Sequence, residues 1–350
     1  MKVLVIKLTS MGDVIHTFPA LTDAQKYIDG IQFDFVVEES FQEIPAWHQT
    51  VNRVIPVATR RWRKNLLTSK GQISSAIKTL REQHYDAIID AQGLIKSAVI
   101  ASFAKGVRHG YDAHSIREPL ASKLYKKVYS ISPSLHAITR IRYLFAHSLG
   151  YEQQLSEGML EEKGNSLDYG LTTNRISPED QNSKLLDAPF IVLLHGTTWL
   201  AKEWPTKNWQ QLAEKLSSNH RVLLPWGNDR EYQRAIEISQ NNPNIEVLPK
   251  FTLSSLAHVL DKAEGVVAVD TGLGHLSAAL SKPTVSIYGP TDTQLVGTLG
   301  QNQCHLRASD EPNWRGIKKN EIFDYDKVSV QSVYEELLNL LRMNTSRKAK

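Results

Sequence analysis

A chain of 350 residues, 41% of them hydrophobic, exceeds what one apolar core usually holds, so two globular domains are expected. The single cysteine, Cys304, excludes an intrachain disulfide and any multi-cysteine metal site; neither a signal-like segment nor eighteen uninterrupted apolar residues occurs, and a cytosolic location is the expectation. The formal charge of +4 is unevenly shared: residues 1–150 carry 20 Lys and Arg against 12 Asp and Glu, the remainder 21 against 25, which favours an acidic partner for the first half.

In chain order, Lys2 to Lys7 read as a short apolar strand, Leu8 to Gly12 as a loop and Asp13 to Ile28 as a helix with Val14, Phe18 and Leu21 inward. Gln32 to Val37 and Val51 to Val57 read as strands, with a short helix from Phe41 to Trp47 between them. A helix over Ile73 to Gln83, a strand over Tyr85 to Asp90, a helix over Leu94 to Ala104 and a closing helix over Leu135 to Leu149 complete residues 1–150. Residues 151–187 are polar with little periodicity and are expected to be an interdomain connection. A second series follows, with strands at Pro189 to Leu194, Arg221 to Pro225, Glu246 to Leu248, Gly265 to Val269 and Thr284 to Tyr288. Helices are expected at Asn208 to Leu216, Arg230 to Gln240 and Leu253 to Ala263, and Val328 to Leu341 should form a last amphipathic helix within a terminal region, 326–350, whose end frays. Strands alternating with helices imply parallel sheets covered on both faces, here two Rossmann-like α/β domains facing a central cleft, at 1–150 and 188–325.

The candidate chemistry lies where strands end. The loop KLTSMGD has one glycine, not the three of a dinucleotide fingerprint, which disfavours a dehydrogenase. It offers Ser10 and Gly12 as small lining and Asp13 as a carboxylate at a helix start, suited either to capping or to taking a proton from an attacking sugar hydroxyl. Thr59 to Lys64, TRRWRK, gathers Arg60, Arg61, Arg63 and Lys64 around Trp62. It reads as a loop-like anion clamp for a carboxylated or phosphorylated group, or as a solvated basic surface. His195, Gly196, Thr197, Thr198 and Lys202 follow a buried strand and could surround a diphosphate. Glu231 could accept from ribose hydroxyls or answer a helix dipole. In GVVAVDTGLGHLSAAL a strand meets Asp270, Thr271 and Gly272 and turns into a helix that holds His275. The free amides there favour a phosphate, although plain capping by Asp270 and Thr271 also suits the pattern. No Walker loop, Gly-x-Ser-x-Gly elbow, HExxH or Cys/His spacing appears, and no nucleic-acid motif accompanies the basic residues. No cofactor, metal or nucleic-acid partner is expected.

Taken together, KLTSMGDVIHTFPALTDA, VVEESFQEIPAWH, RVIPVATRRWRK, YDAIIDAQGLIKSA, REPLAS, LLHGTTWLAKEWP, LPWG, VLPK and VVAVDTGLGHLSAAL with YGPTD resemble the lipopolysaccharide heptosyltransferases. Within that family the likeness is greatest to the branch that adds the first heptose. The resemblance covers most of the chain and implies a GT-B glycosyltransferase that transfers L-glycero-D-manno-heptose from ADP-heptose to Kdo of Kdo-lipid A, inverting the anomeric carbon. It implies Asp13 as general base; Ser10, Arg60, Arg61, Lys64 and Arg117 at the acceptor; and Thr197, Thr198 and Lys202 at the diphosphate. Glu231 would hold the ribose, Phe251 would lie near adenine, and Asp270, Thr271, Gly272 and His275 would line phosphate and heptose. A lipid-anchored acceptor implies peripheral contact of the basic first domain with the cytoplasmic face of the inner membrane. Three alternatives stay open at this point: an enzyme adding a later core heptose, a nucleotide-sugar epimerase of the same fold, and a non-catalytic ADP-sugar or lipid-binding module.

Overall fold

Each of two sheets is built around a central apolar strand, in a computed structural model that describes residues 1–65, 67–161, 167–176, 188–311 and 317–348. The chain divides into two compact units, Met1–Gly164 with Asp168–Arg175, and in the main Ile176–Lys350.

The first unit holds β1 (Lys2–Ile6), β2 (Gln32–Glu38), β3 (Val51–Val57), β4 (His84–Asp90), β5 (Lys105–Tyr111) and β6 (Lys127–Tyr129), in the order β3-β2-β1-β4-β5-β6. Every pairing is parallel. Val3, Leu4, Val5 and Ile6 are wholly buried, as a strand covered on both faces demands. Because β1 pairs with β2 on one side and β4 on the other, the connections leaving β1 and β4 diverge, and a crevice opens at their carboxyl ends. β5 and β6 were not expected: KGVRHGY has no apolar run and KVY is three residues long.

The second unit repeats the plan with β7 (Phe190–Leu194), β8 (Arg221–Leu224), β9 (Ile245–Val247), β10 (Gly265–Val269), β11 (Thr284–Tyr288) and β12 (Gln303–Arg307), in the order β12-β11-β10-β7-β8-β9. Here the divergence falls between β7 and β10, which are parallel neighbours. Trp204 and Trp209 meet edge to face at 5.1 Å in the core. The terminal helix Val330–Lys348 seats Val333 and Leu337 there, and it runs past the expected end at Leu341. Gly265 makes room for it, since a Cβ at that position would meet Leu337 and Leu341 at 3.0 Å.

The expected connection, 151–187, departs from its reading where the structure describes it. Glu152–Glu161 is a helix, the preceding Tyr151 is buried and stacks on Tyr27 at 5.2 Å, and Leu171 bridges to His48. Arg175 donates through Nη1 to the carbonyls of Ala46, His48 and Val51. These residues are part of the first unit's packing, and a polar sequence concealed it because the contacts are mostly to backbone. Residues 162–166 and 177–187 lie outside the described residues.

Candidate active site

In the first unit the site is built on the loop after β1. Gln92, just past β4, accepts through Oε1 from the N–H groups of Leu8 and Thr9 at 2.9 and 3.0 Å, which fixes the loop's path. Lys7 turns its Nζ to the Ala91 carbonyl at 2.9 Å and lies 3.8 Å from Asp13 Oδ1. Asp13 is the third residue of the helix Met11–Ile15, and its Oδ2 accepts from the Ser10 N–H at 2.6 Å and the Ser10 hydroxyl at 3.2 Å. The carboxylate therefore does cap, yet its side chain is 41% exposed, so one group is both held in orientation and open to a reactant.

Beneath this loop is a network that the sequence reading did not nominate. Asp90, wholly buried at the end of β4, accepts from the N–H groups of Gln92 and Gly93 at 2.9 and 3.1 Å and from the Tyr125 hydroxyl at 2.7 Å. Burial pushes the Asp90 carboxyl above its ordinary value against the pull of those donors. Asp90 thus shapes the turn that carries Gln92, and Gln92 holds the loop of Asp13. The only sequence signal was an acidic residue ending an apolar strand in AIIDAQG.

The expected anion clamp is a helix, Thr59–Lys64, rather than a loop. Glu38, at the end of β2, starts it by accepting from the Thr59 hydroxyl at 2.7 Å and the Arg60 N–H at 3.1 Å. Trp62 turns inward against the core, which leaves Arg60, Arg61, Arg63 and Lys64 exposed. Arg61 is engaged with Glu39 at 2.9 Å; water and salt screen this half-exposed pair. Arg117 is exposed in the loop that follows β5.

In the second unit, the segments after β7 and β10 meet. Lys202 Nζ lies 2.5 Å from Asp270 Oδ2, and the Thr291 hydroxyl donates to the same oxygen at 2.5 Å. Thr197 donates to the Asp270 carbonyl at 3.0 Å. Burial opposes ionisation of Asp270, but the Lys202 ammonium and the two hydrogen bonds outweigh it and hold the carboxyl below its ordinary value. Asp270 therefore does not cap the following helix, Gly272–Ala279, and its N-cap Thr271 makes no side-chain cap bond either. Plain capping loses to a cradle whose helix amides remain available to an anion. Thr291, in YGPTD, is a site member that the sequence reading missed. His275 is buried on this helix, and Thr198 is exposed beside Thr197.

Glu231 is positioned by capping: Asn228 accepts from the Glu231 N–H at 3.1 Å, while Glu231 Oε2 accepts from the Gly227 N–H at 2.7 Å. Its carboxylate lies over Gly196, where an added Cβ would sit 2.6 Å from Glu231 Cδ, so a larger residue there would push the carboxylate aside. Trp226 stands beside it, anchored through Nε1 to the Leu248 carbonyl at 2.6 Å with Lys250 Nζ 5.9 Å from its ring centre; half-buried Phe251 is the next residue after Lys250. Trp199 carries Lys202 and Lys319 against its ring at 5.5 and 5.3 Å, a pair of cation–π contacts. His195 leaves the expected diphosphate set. It is wholly buried, stands edge-on to Trp209 at 6.5 Å, and is pushed down to about 3 by burial and by Arg234. Among the described residues, no group of three or more His, Cys, Asp or Glu is placed to hold a metal ion.

Residues 73–325 match the family described as Glycosyltransferase family 9 (heptosyltransferase). The whole chain aligns at 45% identity with Lipopolysaccharide heptosyltransferase 1 of Pseudomonas aeruginosa, covering 96% of that protein. The fold is similar to an E. coli heptosyltransferase solved with ADP, with a TM-score of 0.84, 42% identity, and coverage of 97% of this chain and 100% of the other. It is also similar to E. coli heptosyltransferase solved with ADP-2-deoxy-2-fluoro heptose, with a TM-score of 0.81, 42% identity and coverage of 97% and 99%.

Proposed function

The chain belongs to glycosyltransferase family 9, the heptosyltransferases, and from that membership we propose that it moves L-glycero-D-manno-heptose from ADP-heptose to Kdo of Kdo-lipid A, as the first heptose of the inner core. It is a glycosyltransferase of GT-B architecture with two parallel six-stranded sheets. The observation that carries the reading is the cradle of Lys202, Asp270, Thr291 and Thr197 at the start of an uncapped helix. It suits an ADP-sugar diphosphate in a chain 42% identical to enzymes solved with ADP and an ADP-heptose analogue.

The reaction is a single in-line displacement. An acceptor hydroxyl oxygen bonds to the anomeric carbon as the bond from that carbon to the phosphate oxygen breaks. The hydroxyl proton passes to the Asp13 carboxylate, and the electron pair leaves with ADP. The anomeric carbon inverts. Lys202, Thr198 and the amides at Thr271 and Gly272 stabilise the charge that grows on the leaving diphosphate. Glu231 takes the ribose, and Phe251, with Trp226 nearby, flanks the base; Ser10, Arg60, Lys64 and Arg117 face the anionic acceptor, with Arg61 joining if it exchanges Glu39 for a ligand.

The acceptor is lipid-anchored, so the reading places the enzyme in the cytoplasm, at the cytoplasmic face of the inner membrane as a peripheral protein. Among the described residues no helix is long and apolar enough to cross a membrane. The test is incubation of purified protein with ADP-heptose and either Kdo-lipid A or an acceptor that already carries the first heptose, with mass spectrometry of the products. Addition of one heptose to Kdo-lipid A is expected. Transfer only to the heptosylated acceptor, or turnover of ADP-heptose without any acceptor, contradicts the reading.

A further inference from the structure

The first unit exposes large apolar side chains that its core does not use. On the helix Ile95–Phe103, Ile95 is 42% and Val99 40% exposed; four residues apart, they share one face. Leu120, on the 3-10 helix Pro119–Leu124, is 62% exposed. The two elements are joined where the Ile95 N–H donates to Glu118 Oε2 at 2.7 Å, so the apolar side chains belong to one region. Lys96 and Lys123 are exposed on the same two elements.

Charge separates this region from an ordinary apolar patch. Residues 91–131 contain seven Lys and Arg and only two acids, Asp112 and Glu118. Both acids are occupied: Asp112 Oδ1 accepts from the N–H groups of His114 and Ser115 at 3.2 and 2.8 Å, and Glu118 accepts from Ile95. Exposed apolar side chains accompanied by Lys96 and Lys123 on the same two elements, with the local carboxylates turned to backbone, complement a surface that is apolar at depth and anionic at its face. The region also begins at the carboxyl edge of the sheet, where β1 and β4 deliver the Asp13 and Gln92 loops.

We propose that the outer faces of Ile95–Phe103 and Pro119–Leu124 form the surface by which this chain docks on an anionic phospholipid bilayer, inserting Ile95, Val99 and Leu120 among the headgroups. The proposal rests on the reading that the acceptor is lipid-anchored and names the surface that meets the lipid.

The experiment uses full-length protein and sedimentation with vesicles of phosphatidylcholine alone or with about one third phosphatidylglycerol, beside a transfer assay on a de-acylated, water-soluble Kdo acceptor. Wild type is expected to bind the anionic vesicles and to be released by salt. Lys96→Gln with Lys123→Gln should lower the partition coefficient about 25-fold, at roughly fivefold per cation. Ile95→Ser with Val99→Ser and Leu120→Ser should lower it at least about tenfold. Both variants should keep turnover on the soluble acceptor within about twofold, which shows that they are folded. Vesicle binding unchanged in both variants overturns the proposal. So does a concentration-dependent dimer, seen by analytical ultracentrifugation, that the apolar variant abolishes while vesicle binding is absent, because the surface then joins copies of the chain. Failure of transfer to every acceptor with patch-dependent vesicle binding intact would overturn the proposed function and leave the docking surface standing.

Discussion

Asp90 and Asp270 occupy corresponding places in the two units. Each lies where the strand beside the central apolar strand ends: Asp90 is wholly buried at the end of β4, and Asp270 sits just past β10 with its side chain 9% exposed. Their partners differ: Asp90 is met by a tyrosine hydroxyl and backbone N–H groups, Asp270 by an ammonium and a threonine hydroxyl. Burial prevails at Asp90 and raises its pKa, whereas Lys202 prevails at Asp270 and lowers it. The same residue type at the same topological position thus serves two purposes. Asp90 is a brace for the loop that carries Asp13, and Asp270 sets the charge and place of Lys202, which the proposed function assigns to the diphosphate. The first unit presents a carboxylate that can take a proton, the second a cation that can hold a leaving group.

The largest expected effect is at Asp13, the proposed proton acceptor. Asp13→Ala should lower kcat by about 10² to 10⁴, measured at saturating donor and acceptor, and a fully active variant would remove the carboxylate from the mechanism. Next comes the Lys202 pair. Asp270→Asn leaves the Lys202 ammonium without its counter-charge and should cost about 3 kcal/mol in urea unfolding of the second unit. Asp90→Asn can still accept from the Gln92 and Gly93 N–H groups, with the Tyr125 hydroxyl turned to accept from the amide, and should change stability at pH 7 by less than about 1 kcal/mol. Equal losses for the two would erase the distinction between brace and counter-ion.

The pH dependence has opposite signs. A lowered folded pKa means that the Asp270 contribution is complete above its unfolded value, about 3.9, and is lost as pH falls through the lower folded value. For Asp90 the contribution is complete below about 3.9 and is lost as pH rises through its raised folded value. Acid unfolding of Asp270→Asn should therefore lose its steep low-pH limb, while Asp90→Asn should gain stability relative to wild type as pH rises from 4.

A smaller effect concerns the exposed basic helix. Arg60→Ala with Lys64→Ala should raise the KM for the anionic acceptor about tenfold and flatten its salt dependence, at unchanged ADP affinity. Unchanged acceptor kinetics would return the helix to the status of a solvated surface. The smallest effect is at His195. It is already neutral, since its pKa of about 3 lies well below the assay range, so His195→Gln should leave the pH profile of kcat between 6 and 8 in place.

These contrasts also show what a sequence can disclose. VLVI, FIVLL and GVVAV announced the central strands because strands buried on both faces must be continuously apolar. The placement of Asp13, Lys202 and Asp270 just past strands β1, β7 and β10 was legible because strand ends mark the crevice. β5, β6 and β12 were not, since KGVRHGY, KVY and QCHLR owe their strand form to a neighbour's register rather than to their own pattern. TRRWRK hid a helix whose only inward anchor is Trp62. Gln92, Asp90 and Thr291 escaped notice for a related reason: Gln92 acts on Leu8 across 84 residues, Tyr125 meets Asp90 across 35, and Thr291 meets Asp270 across 21. No local motif encodes such pairs.

The division of labour between the two units is tested most directly by calorimetry of ADP binding to Asp13→Ala and Lys202→Ala side by side. Asp13→Ala should bind ADP within about twofold of wild type. Lys202→Ala should bind at least about tenfold more weakly, because it loses a charge-assisted contact and exposes the diphosphate to the Asp270 carboxylate. ADP affinity lost in Asp13→Ala and retained in Lys202→Ala would contradict it.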